Sequence, residues 1–244
     1  MTAAWDFLTT AANWSGTDGI WTRFTEHLFY TLLSVVIAAL VALPLGAVIG
    51  HTGRGVAAIA GVANALRALP TLGLLTVLTL WSFGLLTGQL ARLGPSIVVL
   101  VVLAVPPILS NTYAGIAAVD PAARDAARGM GMTGSQVLLR VELPVAMPLV
   151  LSGVRSAYLQ VVATATIAAV VGLGGFGRYV VDGLAQQLYG KMVAGALLVA
   201  LMAVIGDRLI ALVGRFLVSP GLSGRRVREK AQEAEAGFAA VPPT

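Results

Sequence analysis

"LFYTLLSVVIAALVALPLGAVI", Leu28 to Ile49, contains no Asp, Glu, Lys, Arg or His. At 1.5 Å per residue, a helix of this length crosses the ~30 Å hydrocarbon core of a bilayer. The composition of the 244-residue chain agrees, because 57% of it is hydrophobic and only 11% is charged. Soluble domains carry roughly a quarter charged residues. We therefore expect an all-α, polytopic membrane protein rather than a soluble helical one.

The apolar runs divide the chain into five predicted spans separated by shorter polar segments. The second run is interrupted by Pro70, so it is either one kinked helix or two shorter elements. The predicted spans are residues 26–50, 56–84, 95–118, 144–171 and 191–217. Together they form one transmembrane domain, residues 21–218.

The two ends of the chain are expected to lie outside this domain. Residues 1–20 lack the basic start and cleavage site of a signal peptide. Trp5 and Trp14 suit an extracellular segment lying at the membrane interface, although an unstructured tail fits the same residues. Residues 219–244 are polar, end in "VPPT" and are predicted to be a disordered cytoplasmic tail.

Basic residues indicate the orientation in the membrane, because cytoplasmic loops carry an excess of Lys and Arg. Nine basic residues fall on one predicted face: Arg54, Arg124, Arg128, Arg140, Arg215, Arg225, Arg226, Arg228 and Lys230. Four fall on the other: Arg23, Arg92, Arg178 and Lys191. We predict a multi-pass protein of the cell membrane with its N-terminus outside and its C-terminus in the cytoplasm, which an odd number of spans requires.

Between the third and fourth predicted spans lies a polar, amphipathic segment, "DPAARDAARGMGMTGSQVLLRVELP", residues 120–144. Asp120 is a favoured helix cap, and Pro121 is favoured at the first helical position. Small side chains follow, which let a helix lie close in a groove of another protein. They are Ala122, Ala123, Ala126 and Ala127.

The second half of this segment predicts a turn and another short helix. Gly131 suits the turn because glycine reaches positive φ without steric cost. Thr133 and Gln136 have the spacing of a capping box, which starts a helix running through Arg140. Pro144 then precedes the fourth span. The whole is a helix-turn-helix knuckle, which fits either a docking element or an ordinary cytoplasmic loop.

This knuckle resembles the EAA loop of permease subunits of bacterial ABC importers. That signature reads Glu-Ala-Ala, three residues, Gly, nine residues, Ile, one residue, then Leu-Pro. Two conservative departures occur, Asp for Glu and Val for Ile, and the spacing matches throughout. The matching positions are Asp125, Ala126, Ala127, Gly131, Val141, Leu143 and Pro144. The resemblance implies that these residues form a coupling helix between spans three and four, seated in a cleft of a separate ATPase.

Three further stretches are similar to one branch of these permeases: "LRALPTLGLLTVL" at 66–78, "PPILSNTYAGI" at 106–116 and "GLGGFG" at 172–177. That branch imports the osmoprotectants glycine betaine, carnitine, choline and proline betaine. A methionine-type amino-acid importer permease is the alternative. A secondary transporter working without ATP is a weaker one, because such proteins often contain inverted repeats and would not need the knuckle.

The resemblance also implies partners: two ATPase subunits, an extracellular substrate-binding protein, and a second permease copy or a paralogue. ATP would be bound by the partner subunit, so the chain needs no cofactor of its own. Membrane lipid is the expected contact of the basic tail at 225–230 rather than nucleic acid.

Other motifs do not support catalysis. Gly172, Gly174 and Gly177 satisfy G-x-G-x-x-G, but a dinucleotide site needs a preceding strand and a later acid. We interpret this stretch as a tight extracellular turn between the last two spans. No Walker A pattern, catalytic triad, histidine cluster or cysteine occurs, so no catalytic or metal site is predicted, and the chain is not expected to be an enzyme. His27 and His51 are expected at the membrane interfaces.

Polar side chains inside spans are costly and commonly face an interior pathway. A zwitterionic betaine also needs aromatic faces for its cation. The candidates for the substrate pathway are Asn64, Arg67, Thr71, Trp81, Asn111, Tyr113, Tyr158 and Thr164. Arg155 is expected to snorkel or brace the knuckle, and Asp207 and Arg208 form an internal pair or mark the inner end of the fifth span.

Overall fold

The computed structural model describes residues 2–57, 61, 65, 66 and 68–218, and within these ranges the regular elements are all helical. The all-α prediction is confirmed. Two pathway candidates, Asn64 and Arg67, lie outside the described residues, as does the tail at 219–244.

Nine α-helices within the described residues are labelled in chain order. They are α1 (Thr2–Thr9), α2 (Ile20–Thr52), α3 (Thr71–Ser82), α4 (Leu90–Ala117), α5 (Pro121–Gly129), α6 (Gly134–Val137), α7 (Leu143–Ala168), α8 (Gly177–Ala185) and α9 (Tyr189–Leu217). Short 3₁₀ turns occur at Ala11–Trp14 and Ala169–Val171, and one π-helical turn occurs at Leu138–Glu142.

Four helical stretches are long and apolar enough to cross a membrane: Ile20–Thr52, Leu90–Ala117, Gly134–Val171 and Tyr189–Leu217. The chain is therefore polytopic, as predicted. Within the predicted span 56–84 the structure describes α3, which has 12 residues and is too short to cross by itself, whereas residues 58–60, 62–64 and 67 lie outside the described residues. Its start is set by Pro70, which takes the extended conformation of the capping residue and cannot continue a preceding helix.

At the centre of the bundle, α4 lies between α2 and α7 and packs against both. Small residues on all three helices allow this approach, including Ala38, Ala104 and Ala157, each fully buried. At Gly153 of α7, a Cβ would lie 2.8 Å from the Pro107 carbonyl oxygen of α4. These helices therefore pack backbone against backbone, without space for larger side chains.

The N-terminal segment is folded against the last helix. Ala4 is buried in the packing of α1 on α9. The segment after α1 turns back on it, since Asn13 Nδ2 donates to the Phe7 carbonyl at 2.9 Å and Trp14 Nε1 donates to the Leu8 carbonyl at 2.8 Å. The alternative of an unstructured tail does not hold for residues 2–19.

Candidate functional site

The first helix of the knuckle begins as its sequence predicts. Asp120 accepts a hydrogen bond from the Ala122 backbone N–H at 2.9 Å, and Pro121 occupies the first helical position. A capping side chain of this kind satisfies one of the free N–H groups at a helix start and stabilises it by ~1 kcal/mol. The polar start of α5 is therefore fixed by local contacts alone.

The helix ends in a turn that requires glycine. Gly131 has φ +84°, in the left-handed region. Two backbone bonds close the turn, from the Gly131 N–H to the Arg128 carbonyl at 2.9 Å and from the Met132 N–H to the Ala127 carbonyl at 3.2 Å. This pair of bonds is the Schellman arrangement, which is built around a left-handed residue.

The predicted capping box is present. Thr133 accepts from the Gln136 backbone N–H, and the Gln136 side chain accepts from the Thr133 N–H at 2.8 Å. The predicted stop before Pro144 is wrong. The helical path instead continues from Gly134 to Val171.

A π-helical turn allows the chain to pass Pro144 without a break. The ring of a proline clashes with the carbonyl four residues earlier, and its missing N–H leaves that carbonyl without a partner. In the turn Leu138–Glu142, the Leu143 N–H bonds to the Leu138 carbonyl, five residues back. This wider turn accommodates the proline. The second helix of the knuckle, from Gly134, and α7 therefore form one continuous helix.

A buried carboxylate joins the knuckle to the bundle. Glu142 is fully buried, and its Oε2 lies 2.6 Å from His51 Nδ1 at the end of α2. Its Oε1 lies 2.9 Å from Arg124 Nε on α5. Arg124 also donates to the Ile116 carbonyl at the end of α4. Glu142 therefore connects its own segment, just before α7, to α2 and α5. We name the contacts of Glu142 with His51 and Arg124 the Glu142 junction.

Sequence reasoning missed this junction. It assigned Arg124 only to the positive-inside count, placed His51 at the interface, and gave Glu142 no role. The available signal was an acid in the apolar run "VLLRVELP", residues 137–144, just before a span. A carboxylate there must either reach water or find cationic partners, because burying an unpaired charge is costly.

The knuckle positions taken from the resemblance divide into exposed and packed groups. Ala127 is buried, whereas Val141 and Leu143 are half-buried. Asp125, Ala126, Gly131 and Pro144 are exposed. Exposed Ala122, Ala123 and Met130 extend the outer face of α5. The knuckle therefore presents a face of small side chains with one large apolar residue, Met130.

The opposite end of α2 holds the glycine loop, which we define as Gly172–Gly177. Glu26 Oε2 accepts from the Gly175 N–H at 2.7 Å. His27 Nδ1 accepts from the Phe176 N–H at 3.2 Å, so Nε2 carries the proton and donates to the Val162 carbonyl at 3.1 Å. His27 is 1% exposed, and the backbone groups around it supply the partners that water would otherwise supply, while its position at a membrane interface stays a prediction.

The N-terminal segment contacts the glycine-loop end of the bundle through Tyr179 of α8. Its hydroxyl donates to the Asp18 carbonyl at 2.7 Å, and Lys191 lies 5.8 Å from its ring centroid. Burial raises the pKa of Tyr179 to about 12. The hydroxyl therefore remains a hydrogen-bond donor throughout the neutral range.

The predicted pathway residues are not gathered in one place by the described contacts. Asn111 donates to the Pro107 carbonyl and Thr164 to the Gln160 carbonyl, each within its own helix. Tyr158 is buried and donates to the Met202 carbonyl of α9 at 2.8 Å. Thr71 and Tyr113 are half-buried, and Trp81 is exposed beside an apolar groove. Their role in transport stays a prediction.

Arg155 braces α7 against α9 instead of the knuckle. Its Nε and Nη2 donate to the two carboxylate oxygens of Asp207, each at 2.8 Å. Such a bidentate pair fixes the relative rotation of two helices. No group of three or more His, Asp or Glu side chains within the described ranges is placed to hold a metal ion.

Comparison with known proteins finds relatives that extend over most of the chain. Residues 42–218 match the family described as "Binding-protein-dependent transport system inner membrane component". The chain is 34% identical to the glycine betaine/carnitine/choline transport system permease protein OpuCB of Bacillus subtilis, over 82% of this chain and 89% of that protein. It is 33% identical to the choline transport system permease protein OpuBB of the same organism, over 84% and 90%.

The fold is also found among solved structures. An inward-facing structure of the MetNI methionine ABC transporter superposes with a TM-score of 0.67 at 22% identity, covering 80% of this chain and 94% of the matched one. This likeness shows a shared fold. Because the family match and the relatives both extend over most of the chain, it belongs to the family of inner membrane components of binding-protein-dependent transport systems.

Proposed function

We propose that this chain is the permease subunit of an ATP-driven importer for compact quaternary ammonium osmolytes, such as glycine betaine, carnitine, choline or proline betaine. The substrates for which the two Bacillus relatives are named support the substrate class. The observation that carries the coupling role is the Glu142 junction, because it fixes an otherwise exposed knuckle to the ends of α2 and α4.

The junction explains how a movement of the knuckle would reach the bundle. The second helix of the knuckle, which begins at Gly134, continues into α7 without a break. Glu142, just before α7, links this helix to His51 of α2. A push on the outer face of α5 therefore acts on α2 and α7 together. Packed helices transmit such displacements as rigid bodies because interiors are close-packed.

The remaining parts of the importer follow from this role. Two separate ATPase subunits bind ATP and receive the knuckle, with Asp125, Ala126 and Gly131 at the contact and Ala127, Val141, Leu143 and Pro144 setting its shape. A second permease copy or a paralogue completes the pore, and an extracellular binding protein delivers the osmolyte. The chain itself supplies neither an ATPase site nor a cofactor.

The orientation places the knuckle in the cytoplasm and the glycine loop outside. Single-cysteine labelling tests it, since the chain has no cysteine of its own. Ser15→Cys should react with an impermeant maleimide in intact cells. Ser223→Cys, at a position outside the described residues, should react only after lysis. The reverse pattern would exclude docking of the knuckle on a cytoplasmic ATPase.

Gly131→Val tests the docking role. A β-branched residue at φ +84° is strained by roughly 1–2 kcal/mol or more, and its side chain would hold the two proteins apart. The spans do not depend on this turn, so the protein should insert and express normally. Co-purification with the ATPase should weaken and osmolyte uptake should be lost.

The matched control is Gly16→Val. Gly16 has φ +93°, and like Gly131 it has no neighbour within 4 Å of an added Cβ, but it lies in the N-terminal segment. This variant should keep ATPase association. Equal behaviour of the two variants would contradict docking through the knuckle.

In the same strains, unchanged betaine, carnitine and choline uptake with a loss of methionine uptake would assign the alternative substrate class.

A further inference from the structure

A polar cavity of about 240 Å³ lies beside the glycine loop, at the end of the bundle opposite the knuckle. Three arginines and one acid line it: Arg23, Arg92, Arg178 and Glu26. Asp18 and Asp182 pair with Arg23 and Arg178 from beside the lining and offset their charge. The remaining positive group, Arg92, lies in a recess with low-dielectric walls, which strengthens its attraction for an anion.

Two of the arginines are already paired, and the third is not. Arg23 Nη1 lies 2.7 Å from Glu26, and Arg178 Nη2 lies 2.6 Å from Asp182. Arg92 has no carboxylate within ion-pair distance among the residues that the structure describes. Its guanidinium is therefore the group in this lining that can form a new two-pronged contact.

Two neutral polar groups in the lining are also without partners. Tyr30 is 5% exposed and Gln89 is exposed. Neither side chain makes a hydrogen bond within the described part of the chain. Because Tyr30 lines the cavity, its hydroxyl is available to a molecule bound there.

The glycine loop is shaped to admit the Arg92 side chain. Gly172 has φ +89°, and a Cβ there would lie 2.8 Å from Arg92 Cδ. Both the backbone conformation and the packing therefore require glycine at this position. The aliphatic part of Arg92 rests on the loop backbone, while its guanidinium belongs to the cavity lining.

We propose that this cavity binds the carboxylate of a zwitterionic osmolyte, with Arg92 as the principal partner and Tyr30 as a second donor. The inference rests on the proposed function, which it narrows to carboxylate-bearing substrates such as betaine and carnitine. Arginine presents parallel N–H groups that match the two oxygens of a carboxylate. Choline has no carboxylate and therefore cannot form this contact with Arg92.

The test measures direct binding to the full chain in lipid nanodiscs, without binding protein or ATPase. Radiolabelled glycine betaine should bind saturably, and choline should not. Arg92→Gln should weaken betaine binding at least tenfold. The matched control, Arg215→Gln, removes an exposed arginine near the end of α9 and should leave binding unchanged.

The proposal would be overturned by an absence of saturable betaine binding, by equal binding of choline, or by unchanged betaine affinity in Arg92→Gln. Competition by acetate as strong as that by betaine would also overturn it, since the site would then take any small anion. Uptake assays in cells separate the two hypotheses. Osmolyte uptake without nanodisc binding refutes the cavity alone, whereas nanodisc binding without uptake of any osmolyte refutes the importer assignment.

Discussion

Each end of α2 contacts a segment next to α7: the knuckle, which precedes α7, and the glycine loop, which follows it. The two contacts differ in their chemistry. At the knuckle end, side chains contact one another: Glu142 contacts His51 and Arg124. At the glycine-loop end, Glu26 and His27 bind backbone N–H groups. With 1.5 Å per residue, the ~25 residues between the two sites place them about 37 Å apart.

The difference shows how each end depends on its residues. A side-chain junction fails when a charge is removed, because the remaining partners are left unpaired. A backbone junction fails when a side chain is added, because it relies on close approach to glycines. The knuckle end is therefore sensitive to loss of charge, and the loop end to added volume.

The largest effect is expected from Glu142→Ala. Removing one partner of a buried ion pair costs about 3–5 kcal/mol, because the other charge remains buried without compensation. His51 and Arg124 are each 19% exposed in their side chains, so water offsets part of this cost. The measurement is thermal unfolding of the purified permease in detergent. A change no greater than that of an exposed acid such as Asp125 would show that the junction contributes nothing.

At the loop end, Gly177→Ala should be nearly as damaging. A Cβ at Gly177 would lie 2.3 Å from the Thr166 carbonyl oxygen, and backbone must move to relieve the overlap. Overpacking of this kind costs typically 1–3 kcal/mol and sometimes more. The control is Gly129→Ala at the end of α5, where nothing lies within 4 Å. Equal unfolding temperatures for the two variants would contradict a tightly packed loop.

Replacing each of the two histidines in turn compares the stability of the two ends of α2 directly. His27→Ala leaves the buried Phe176 N–H without a partner, which costs about 1–3 kcal/mol, while the Val162 carbonyl keeps the hydrogen bond from Thr166 Oγ1. His51→Ala removes one contact to Glu142 but leaves the Arg124 contact in place. We therefore expect His27→Ala to lower the unfolding temperature more. The opposite order, measured under the same detergent conditions, would place the stronger junction at the knuckle.

Asp125→Ala should have the smallest effect on stability. Its side chain is 75% exposed, and the contact with Arg128 is 3.6 Å long. Exposed ion pairs contribute roughly 0–1 kcal/mol. Unfolding should be nearly unchanged, and any loss should appear in ATPase co-purification. A fall of the unfolding temperature comparable with that of Glu142→Ala would reveal a structural role for Asp125.

Local rules predicted most of the knuckle. The Asp120 cap, the Gly131 turn and the Thr133 capping box each depend on residues within a few positions, and all are present. Pro144 was predicted to end a helix, because the rule for proline assumes ordinary α-helical spacing. The π-helical turn before it changes that spacing, and nothing local in the sequence indicates such a turn.

Long-range contacts were not predictable in the same way. His51 and Glu142 are separated by 91 positions, and Glu26 and Gly175 by 149. Which polar groups meet across such distances depends on the packing of α2 against α4 and α7. The sequence predicted a tight turn at the glycines of the loop, but not which side chains approach them.

The most direct test of coupling through the junction is the ratio of osmolyte imported to ATP hydrolysed. It is measured in proteoliposomes containing the binding protein and the permease–ATPase complex, normalised to the amount of assembled complex. Glu142→Gln keeps the size of the side chain but removes its charge, so the knuckle should still dock while its hold on α2 weakens. We expect ATP hydrolysis to continue and osmolyte import per ATP to fall at least tenfold. A ratio equal to that of the unmodified protein would contradict transmission through the Glu142 junction.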